Sequence, residues 1–275
     1  MEAPSAFGTL ILLTALSTAA LAGAEPPKED DRASERASMV QQQLVSRRSM
    51  GGGMPAAPGI GFNDKTGGVL FGAREADPSD AIRNPKVLDA MRSVPRHWFV
   101  PPDLQRNAYD DRPLPIGYGQ TISQPYIVAL MTELLDPKES WKILEVGTGS
   151  GYQAAVLTKF TPQVYTMEIV EPLYKQALPR LKRFGLDEAH VLHGDGYFGI
   201  EKAAPFDGII VTAAADHIPP PLIKQLQPGG RMIIPIGPVH SVQRLVVVEK
   251  DAIGKVRTQT HLPVKFVPLI GGPKK

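Results

Sequence analysis

The second half of the chain alternates short apolar segments with longer amphipathic ones, and this alternation restricts the fold most. Segments rich in Val, Ile and Leu predict strands at residues 142–146, 163–169, 190–193, 206–212, 231–236 and 244–250. The hydrophobic spacing of helices is found at residues 153–160, 172–184 and 219–226. Together they predict a doubly wound α/β fold, with a mainly parallel sheet covered on both faces. Because no helix separates the last two strands, we expect an antiparallel C-terminal edge.

The N-terminal part of the chain predicts less regular structure. Residues 1–24 form an apolar leader that ends in Ala-Gly-Ala, a pattern that fits signal-peptide cleavage. The opening segment carries an acidic residue and no Lys or Arg, whereas a signal peptide normally begins with positive charge. Residues 25–83 are rich in charge, glycine and proline, which predicts a disordered or linker region with one short helix over 39–44. We expect the folded domain at 84–275, after this helical and loop extension.

Charge and composition argue against several classes of partner. The 30 basic and 28 acidic residues are well mixed and leave a net charge of +2, so we expect no nucleic-acid binding. After the leader, no segment has the ~20 uninterrupted apolar residues of a membrane span, so we expect no stable membrane association. The chain has no cysteine, and its 6 histidines have none of the spacings typical of metal ligands. The sequence therefore predicts no metal site.

A loop with glycines at alternate positions follows the first of these strands, at Gly147, Gly149 and Gly151. At the carboxyl edge of a doubly wound sheet, such a loop lets backbone N–H groups approach a ligand closely. In the dinucleotide fingerprint the third glycine lies three residues after the second, whereas here it lies two after, so NAD is disfavoured. Glu168, near the end of the next strand, is placed to accept hydrogen bonds from ribose hydroxyls. A structural turn is the alternative for the glycines alone.

Asp195 and Gly196 follow the third strand of this series, in the segment HGDGYFG. The Asp195 carboxylate is a candidate acceptor for an exocyclic adenine amine, and the neighbouring glycine would leave room for the ring. An Asx-turn that closes the loop explains the same aspartate equally well. Spacing alone does not separate these two interpretations.

Several segments together resemble the protein-L-isoaspartate (D-aspartate) O-methyltransferases, a family of class I S-adenosylmethionine-dependent methyltransferases with a Rossmann-like fold. They are MRSVPRHWFVP, AYDDRPLPIGYGQTISQPYIVALM, LEVGTGSGYQAAVL, FDGIIVTAAADHIPPPLIKQLQPGGRMIIPIG and VKFVPLIGG. The resemblance runs from about residue 84 to 272 and includes family-specific motifs in GQTISQP and FVPLIG. The chain departs from the family pattern in its leader and in an insertion at 51–81, neither of which contains a site residue.

The resemblance implies S-adenosylmethionine as the cofactor and assigns candidate site residues. The cofactor-binding candidates are Glu145, Gly147, Thr148, Gly149, Gly151, Glu168, Asp195 and Gly196. The acceptor-site segment is 107–135, in which Ser123 is the candidate catalytic residue, with the cap of the following helix as its alternative role. The remaining substrate-binding candidates are Gln120, Thr121, Val267, Pro268 and Leu269.

The reaction implied by the resemblance is methylation of the free α-carboxylate of L-isoaspartyl residues in damaged proteins or peptides. The methyl ester then cyclises to a succinimide, whose hydrolysis returns part of it to normal aspartate. A methyltransferase for a different carboxylate or hydroxyl acceptor is the main alternative. A fold that has lost turnover and an NAD enzyme are two others. We expect a monomer in the cytoplasm, where S-adenosylmethionine is made; a periplasmic or secreted enzyme is the alternative if residues 1–24 are cleaved.

Overall fold

The computed structural model of the chain describes residues 32–46, 59–62, 69–72, 81–238 and 241–273. The chain divides into two units, Met1–Asp31 and Arg32–Lys275, and all described residues belong to the second. The predicted leader, residues 1–24, lies outside the described residues.

The N-terminal segment of this second unit is helical and buried on one side. Helix α1 (Ala33–Met39) continues directly into a π-helical turn (Val40–Val45), so the helix begins earlier than the sequence predicts. Its buried apolar residues belong to the same core as those after residue 81; they are Met39, Val40 and Leu44. Within the predicted linker, β1 (Gly59–Phe62) and β2 (Val69–Gly72) pair as an antiparallel hairpin, which the sequence pattern does not predict.

Two helices and a second hairpin precede the main sheet. Helix α2 (Pro85–Ser93) begins where the Asn84 side chain accepts a hydrogen bond from Lys86 N. Short 3₁₀ turns, a hairpin and one further helix follow it in chain order: Arg96–Phe99, Pro102–Asn107, β3 (Leu114–Gly117), β4 (Gln120–Ile122) and α3 (Pro125–Leu135). The N-cap of α3 is Gln124, so the alternative role of Ser123 as its cap is wrong.

A seven-stranded sheet forms the centre of this unit. Its strands and the helices between them are β5 (Ile143–Val146), α4 (Tyr152–Leu157), β6 (Val164–Glu168), α5 (Glu171–Lys182), β7 (Val191–His193), β8 (Phe206–Val211), α6 (Pro220–Gln225), β9 (Leu226–Ile236), β10 (Gln243–Lys250) and β11 (Val256–Val264). The strand order is β11-β10-β9-β8-β5-β6-β7. Adjacent strands are parallel from β9 through β8, β5 and β6 to β7. Strand β10 pairs antiparallel with both β9 and β11. The predicted mainly parallel sheet with an antiparallel C-terminal edge is confirmed.

Alternate residues of the strands pack into two separate cores. In β5, Ile143 belongs to the core under α2 to α5, and Leu144 to the core under α6. In β8, Ile210 belongs to the core under α2 to α5, and Ile209 belongs to the core under α6. Because both faces are covered, these central strands are mostly apolar, with Glu145 in β5 and Asp207 in β8 as exceptions. Strand β5 pairs with β6 on one side and with β8 on the other. The strand order therefore reverses at β5. At such a reversal a ligand crevice is expected beyond the carboxyl end of the strand.

Candidate active site

A cavity lies beyond the carboxyl ends of β5, β6 and β8, at the reversal of strand order. Loops after these strands form one side of it, and β4 and the residues after β11 form the other. It brings together twelve of the predicted site residues: Gln120, Thr121, Ser123, Glu145, Gly147, Thr148, Gly149, Glu168, Gly196, Val267, Pro268 and Leu269. The other lining residues are not among the predicted site residues; they are Ile122, Val128, Val146, Ser150, Tyr152, Gln153, Met167, Ile169, Val170, Thr212, Ala213 and Ile270.

Backbone and side-chain hydrogen bonds hold the glycine loop in place. The Gly149 N–H donates to Glu168 Oε2 over 2.7 Å, and Glu168 Oε1 accepts from Val170 N over 2.9 Å. On the other side, the Thr212 hydroxyl donates to the carbonyl oxygen of Gly147 over 2.6 Å. Glu168 therefore ties the loop to the end of β6. A carboxylate has about four lone-pair sites, so two bonds leave capacity for the hydroxyls of a ribose.

Glu145 is fully buried in the floor of the cavity. Its Oε2 accepts a hydrogen bond from the Thr166 hydroxyl over 2.5 Å, and Thr166 in turn contacts the Thr148 hydroxyl at 2.6 Å. Since Thr166 gives its proton to the carboxyl group, Thr148 must donate to Thr166. Burial raises the pKa of Glu145 to about 8, because the low-dielectric surroundings disfavour the charged form.

Two buried oxygen atoms in the cavity lining have no hydrogen-bond partner among the residues that the structure describes. They are Glu145 Oε1 and Gln153 Oε1, whereas Gln153 Nε2 donates to the Thr132 hydroxyl over 2.9 Å. Unpaired buried acceptors are costly unless a ligand supplies donors. An ammonium group, such as that of an amino-acid moiety, has three donors and no acceptor, and therefore suits this pair. The residues present thus fit S-adenosylmethionine, which carries an ammonium and a ribose.

One side of the cavity is formed by the junction of β4 and α3, which lies in the predicted acceptor-site segment. Thr121 and Gln120 lie on β4, and Ser123 lies between β4 and the helix. Among the described residues, none forms a hydrogen bond with the Ser123 hydroxyl, so this group is available to a ligand. Val267, Pro268 and Leu269, which the resemblance assigns to substrate binding, also line the cavity.

Two predicted cofactor-binding residues, Gly151 and Asp195, do not line the cavity. Gly151 is the N-cap of α4, where a Cβ atom would lie 3.0 Å from Leu181 Cγ. The Asp195 carboxylate accepts hydrogen bonds from two backbone groups, Tyr197 N over 2.9 Å and Gly272 N over 2.7 Å. The first of these is the Asx-turn that was the alternative interpretation. A cofactor contact by Gly151 or Asp195 stays a prediction, since neither residue lines this cavity.

No cluster of three His, Asp or Glu side chains within the described part of the chain is arranged to hold a metal ion. The lining of the cavity offers hydroxyl, carboxyl, amide and backbone groups. Such groups bind and orient a ligand and exclude water.

The family model described as protein-L-isoaspartate(D-aspartate) O-methyltransferase matches residues 75–274 of the chain. The chain belongs to this family. Protein-L-isoaspartate O-methyltransferase 2 of Syntrophobacter fumaroxidans is 60% identical over 189 residues, which is 69% of this chain and 76% of the relative. The protein-L-isoaspartate O-methyltransferase of Opitutus terrae is 48% identical over 240 residues, which is 87% of this chain and 88% of the relative. The family and the enzyme class predicted from the sequence are confirmed.

Solved structures agree with this assignment. One protein-L-isoaspartate O-methyltransferase has a TM-score of 0.60 and 27% identity, and the match covers 70% of this chain and 62% of that one. A second, from Plasmodium falciparum, is described as a putative member in complex with S-adenosyl-L-homocysteine. It has a TM-score of 0.57 and 27% identity over 69% of this chain and 92% of that one. The chain therefore shares the fold of structurally characterised members of the family.

Proposed function

We propose that this enzyme transfers a methyl group from S-adenosylmethionine to the free α-carboxylate of L-isoaspartyl residues in proteins and peptides. The observation that carries the proposal is that Ser123, the glycine loop and Glu145 line one and the same cavity. Family membership supports both the reaction and the cofactor. The Plasmodium falciparum relative, described as bound to S-adenosyl-L-homocysteine, supports the same cofactor class.

The cofactor would be held by groups that complement its polar parts. Glu168 would accept hydrogen bonds from the ribose hydroxyls, and the unpaired oxygens of Glu145 and Gln153 would accept from the ammonium group. The glycine loop would border it closely, because Gly147 and Gly149 carry no side chain. When bound, S-adenosylmethionine supplies a methyl group on a positively charged sulfur, which is a good leaving group.

The chain's own residues need to supply orientation more than acid–base chemistry. The acceptor carboxylate is already ionised at neutral pH, so no base is required to activate it. In the reaction a bond forms between a carboxylate oxygen and the methyl carbon, the carbon–sulfur bond breaks, and its electron pair remains on sulfur. The Ser123 hydroxyl would donate to the second carboxylate oxygen and fix its direction. The apolar wall of Val267, Pro268 and Leu269 would exclude water from the nucleophilic oxygen.

The decisive experiment uses methyl-labelled S-adenosylmethionine and two peptides that differ only in isoaspartate or aspartate at one position. We expect base-labile label on the isoaspartyl peptide alone. Equal labelling of both peptides would contradict the proposed specificity and favour a methyltransferase for other carboxylates. Absence of labelling, with cofactor binding intact, would contradict the proposed reaction altogether.

The same proposal extends to the setting in which the enzyme acts. Within the described residues, no helix is long and apolar enough to cross a membrane. Isoaspartyl-containing proteins are the expected partners, and we expect the enzyme to be a monomer. We place the enzyme in the cytoplasm, where its cofactor is made. Light scattering checks the mass, and sequencing of the mature N-terminus checks whether residues 1–24 are removed, which would instead indicate export.

A further inference from the structure

The two ends of the Gln153 amide have different surroundings in the cavity lining. Gln153 is the second residue of α4 and is only 6% exposed. Its Nε2 donates to the Thr132 hydroxyl over 2.9 Å, whereas its Oε1 is buried and has no partner among the residues that the structure describes. The protein therefore binds the NH₂ end, and the oxygen end is left for a ligand.

The Thr132 hydroxyl can accept this hydrogen bond but cannot donate to Gln153. Thr132 lies within α3, is fully buried and does not itself line the cavity. Its Oγ1 donates to Val128 O over 2.8 Å, and a carbonyl oxygen only accepts, so the single hydroxyl proton is already used. The Gln153 amide must therefore turn its NH₂ group, and not its oxygen, towards Thr132.

Without this fixed partner the Gln153 amide could adopt either of two orientations. The oxygen and NH₂ ends of an amide are similar in size, so a half-turn exchanges them with little change in packing. After such a half-turn, a ligand ammonium group would meet an NH₂ group, and neither of these groups can accept a hydrogen bond from the other. The Thr132 hydroxyl thus determines whether Gln153 offers an acceptor or a donor to the ligand.

We propose that Thr132 is a positioning residue for the methyl donor, which holds the Gln153 amide so that Oε1 accepts from the ammonium group of S-adenosylmethionine. This role rests on the proposed function, because it concerns the same ligand. Thr132 lies in segment 107–135, which the sequence assigns to the acceptor, but its hydrogen bond with Gln153 connects it to the helix after the glycine loop. Thr132 therefore favours a ligand with a donor group at this point without touching it.

The test compares two ligands in variants of the full chain. The ligands are S-adenosylhomocysteine and its des-amino analogue, in which a hydrogen atom replaces the ammonium group. Thr132→Val removes the hydroxyl and keeps the shape of the side chain, whereas Thr132→Ser keeps the hydroxyl and removes only a methyl group. Thr158→Val is the matched control: the Thr158 hydroxyl at the end of α4 donates to Ala155 O over 2.7 Å, and no described glutamine amide donates to it.

We expect Thr132→Val to raise the dissociation constant for S-adenosylhomocysteine roughly tenfold, as for the loss of one hydrogen bond to a charged group. The dissociation constant for the des-amino analogue should change by less than about twofold, because this ligand makes no bond to Gln153 Oε1. Thr132→Ser should restore the parent affinity for both ligands, and Thr158→Val should bind both like the parent enzyme. The KM for an isoaspartyl peptide should stay that of the parent enzyme in all three variants.

Gln153→Leu completes a double-mutant cycle with Thr132→Val. Alone, it should weaken the binding of S-adenosylhomocysteine about as much as Thr132→Val does, because both variants lose the same contact with the ammonium group. The double variant should then bind no more weakly than either single one. Multiplicative effects would overturn the inference, because they would show that Thr132 acts on the ligand by a route other than Gln153.

Equal weakening of both ligands by Thr132→Val would also overturn the inference, because it would indicate a general change of the cavity. Unchanged affinity for S-adenosylhomocysteine, or a raised KM for the peptide alone, would overturn it as well. If thermal unfolding shows that Thr132→Val does not fold, Thr132→Ala also lacks the hydroxyl and allows the same comparison. Failure of the parent enzyme to bind S-adenosylhomocysteine at all would count against the proposed function instead, so the two failures are distinguishable.

Discussion

Ser123 lies between β4 and α3 with a hydroxyl that has no hydrogen-bond partner among the described residues. If this hydroxyl orients the acceptor carboxylate, Ser123→Ala should lower kcat about tenfold to a hundredfold, because a misdirected nucleophile reacts more slowly. The dissociation constant for S-adenosylhomocysteine should change little. Steady-state kinetics with an isoaspartyl peptide and calorimetric titration of the product measure the two quantities.

Ser93→Ala is a suitable control for that substitution. Ser93 is exposed at the end of α2, and its hydroxyl donates only to Ala90 O over 3.0 Å. Both kcat and the dissociation constant should remain those of the parent enzyme. A weaker affinity for the cofactor product in Ser123→Ala, with kcat unchanged, would place Ser123 on the cofactor side of the cavity.

The buried Glu145 makes stability depend on pH. Burial raises its pKa from 4.5 to about 8 in the folded chain, so between these pH values the folded state holds a proton that the unfolded state has released. The free energy of unfolding therefore falls as pH rises through this window. The amide of Glu145→Gln has no proton to lose in this range. Between pH 5 and pH 9 the Tm of this variant should therefore decline by roughly 5 °C less than the Tm of the parent enzyme.

Differential scanning fluorimetry of the ligand-free enzymes measures that difference in Tm. Glu201→Gln is the control, because the Glu201 side chain is 85% exposed and its substitution should leave the pH profile of the parent enzyme unchanged. Parallel profiles for the parent and Glu145→Gln would show that the buried carboxyl does not hold its proton to neutral pH.

At the scale of elements, Gly151 sets how closely α4 approaches α5. Its φ is +93°, and a Cβ atom would lie 3.0 Å from Leu181 Cγ on α5. Gly185 has a φ of +83° with no atom within 4 Å, so Gly185→Ala adds backbone strain alone. We expect Gly151→Ala to destabilise the fold by about 2 kcal/mol more than Gly185→Ala, since it also overpacks the helix contact. Urea unfolding measures the free energy of unfolding of both variants. Equal losses would mean that α4 and α5 can move apart to accommodate the added Cβ at no cost in stability.

The sequence predicts the elements that have a strong hydrophobic pattern and misses those that lack one. Strands β5 to β10 each contain buried apolar residues, so their hydrophobic pattern is visible in the sequence. Strand β11 is not predicted, because its first five residues are exposed and polar or charged apart from Val256. Hairpin β3–β4 is not predicted either, because its strands are only four and three residues long and β3 contains proline and glycine.

The same limit applies to the candidate site. The motifs predict residues that lie within a motif and line the cavity, such as Glu145 and Ser123. They do not predict Gln153 or Thr212, whose place in the lining depends on how α4 and the end of β8 meet the glycine loop. Nor do they predict that Asp195 contacts Gly272, because 77 residues separate the two in sequence. Only the three-dimensional arrangement reveals contacts of that kind.

At the scale of the whole molecule, the N-terminal helical segment belongs to the core of the enzyme. The Leu44 side chain is fully buried, and the Leu44 carbonyl oxygen accepts a hydrogen bond from Ile82 N over 2.9 Å. Leu44→Ala should therefore lower the free energy of unfolding by ~2–5 kcal/mol, as for other buried leucines. Gln42→Ala, an exposed position on the same turn, should change it by less than about 0.5 kcal/mol. Urea unfolding that gave equal, small effects for both would mean that this segment is dispensable to the fold and that the domain begins only after it.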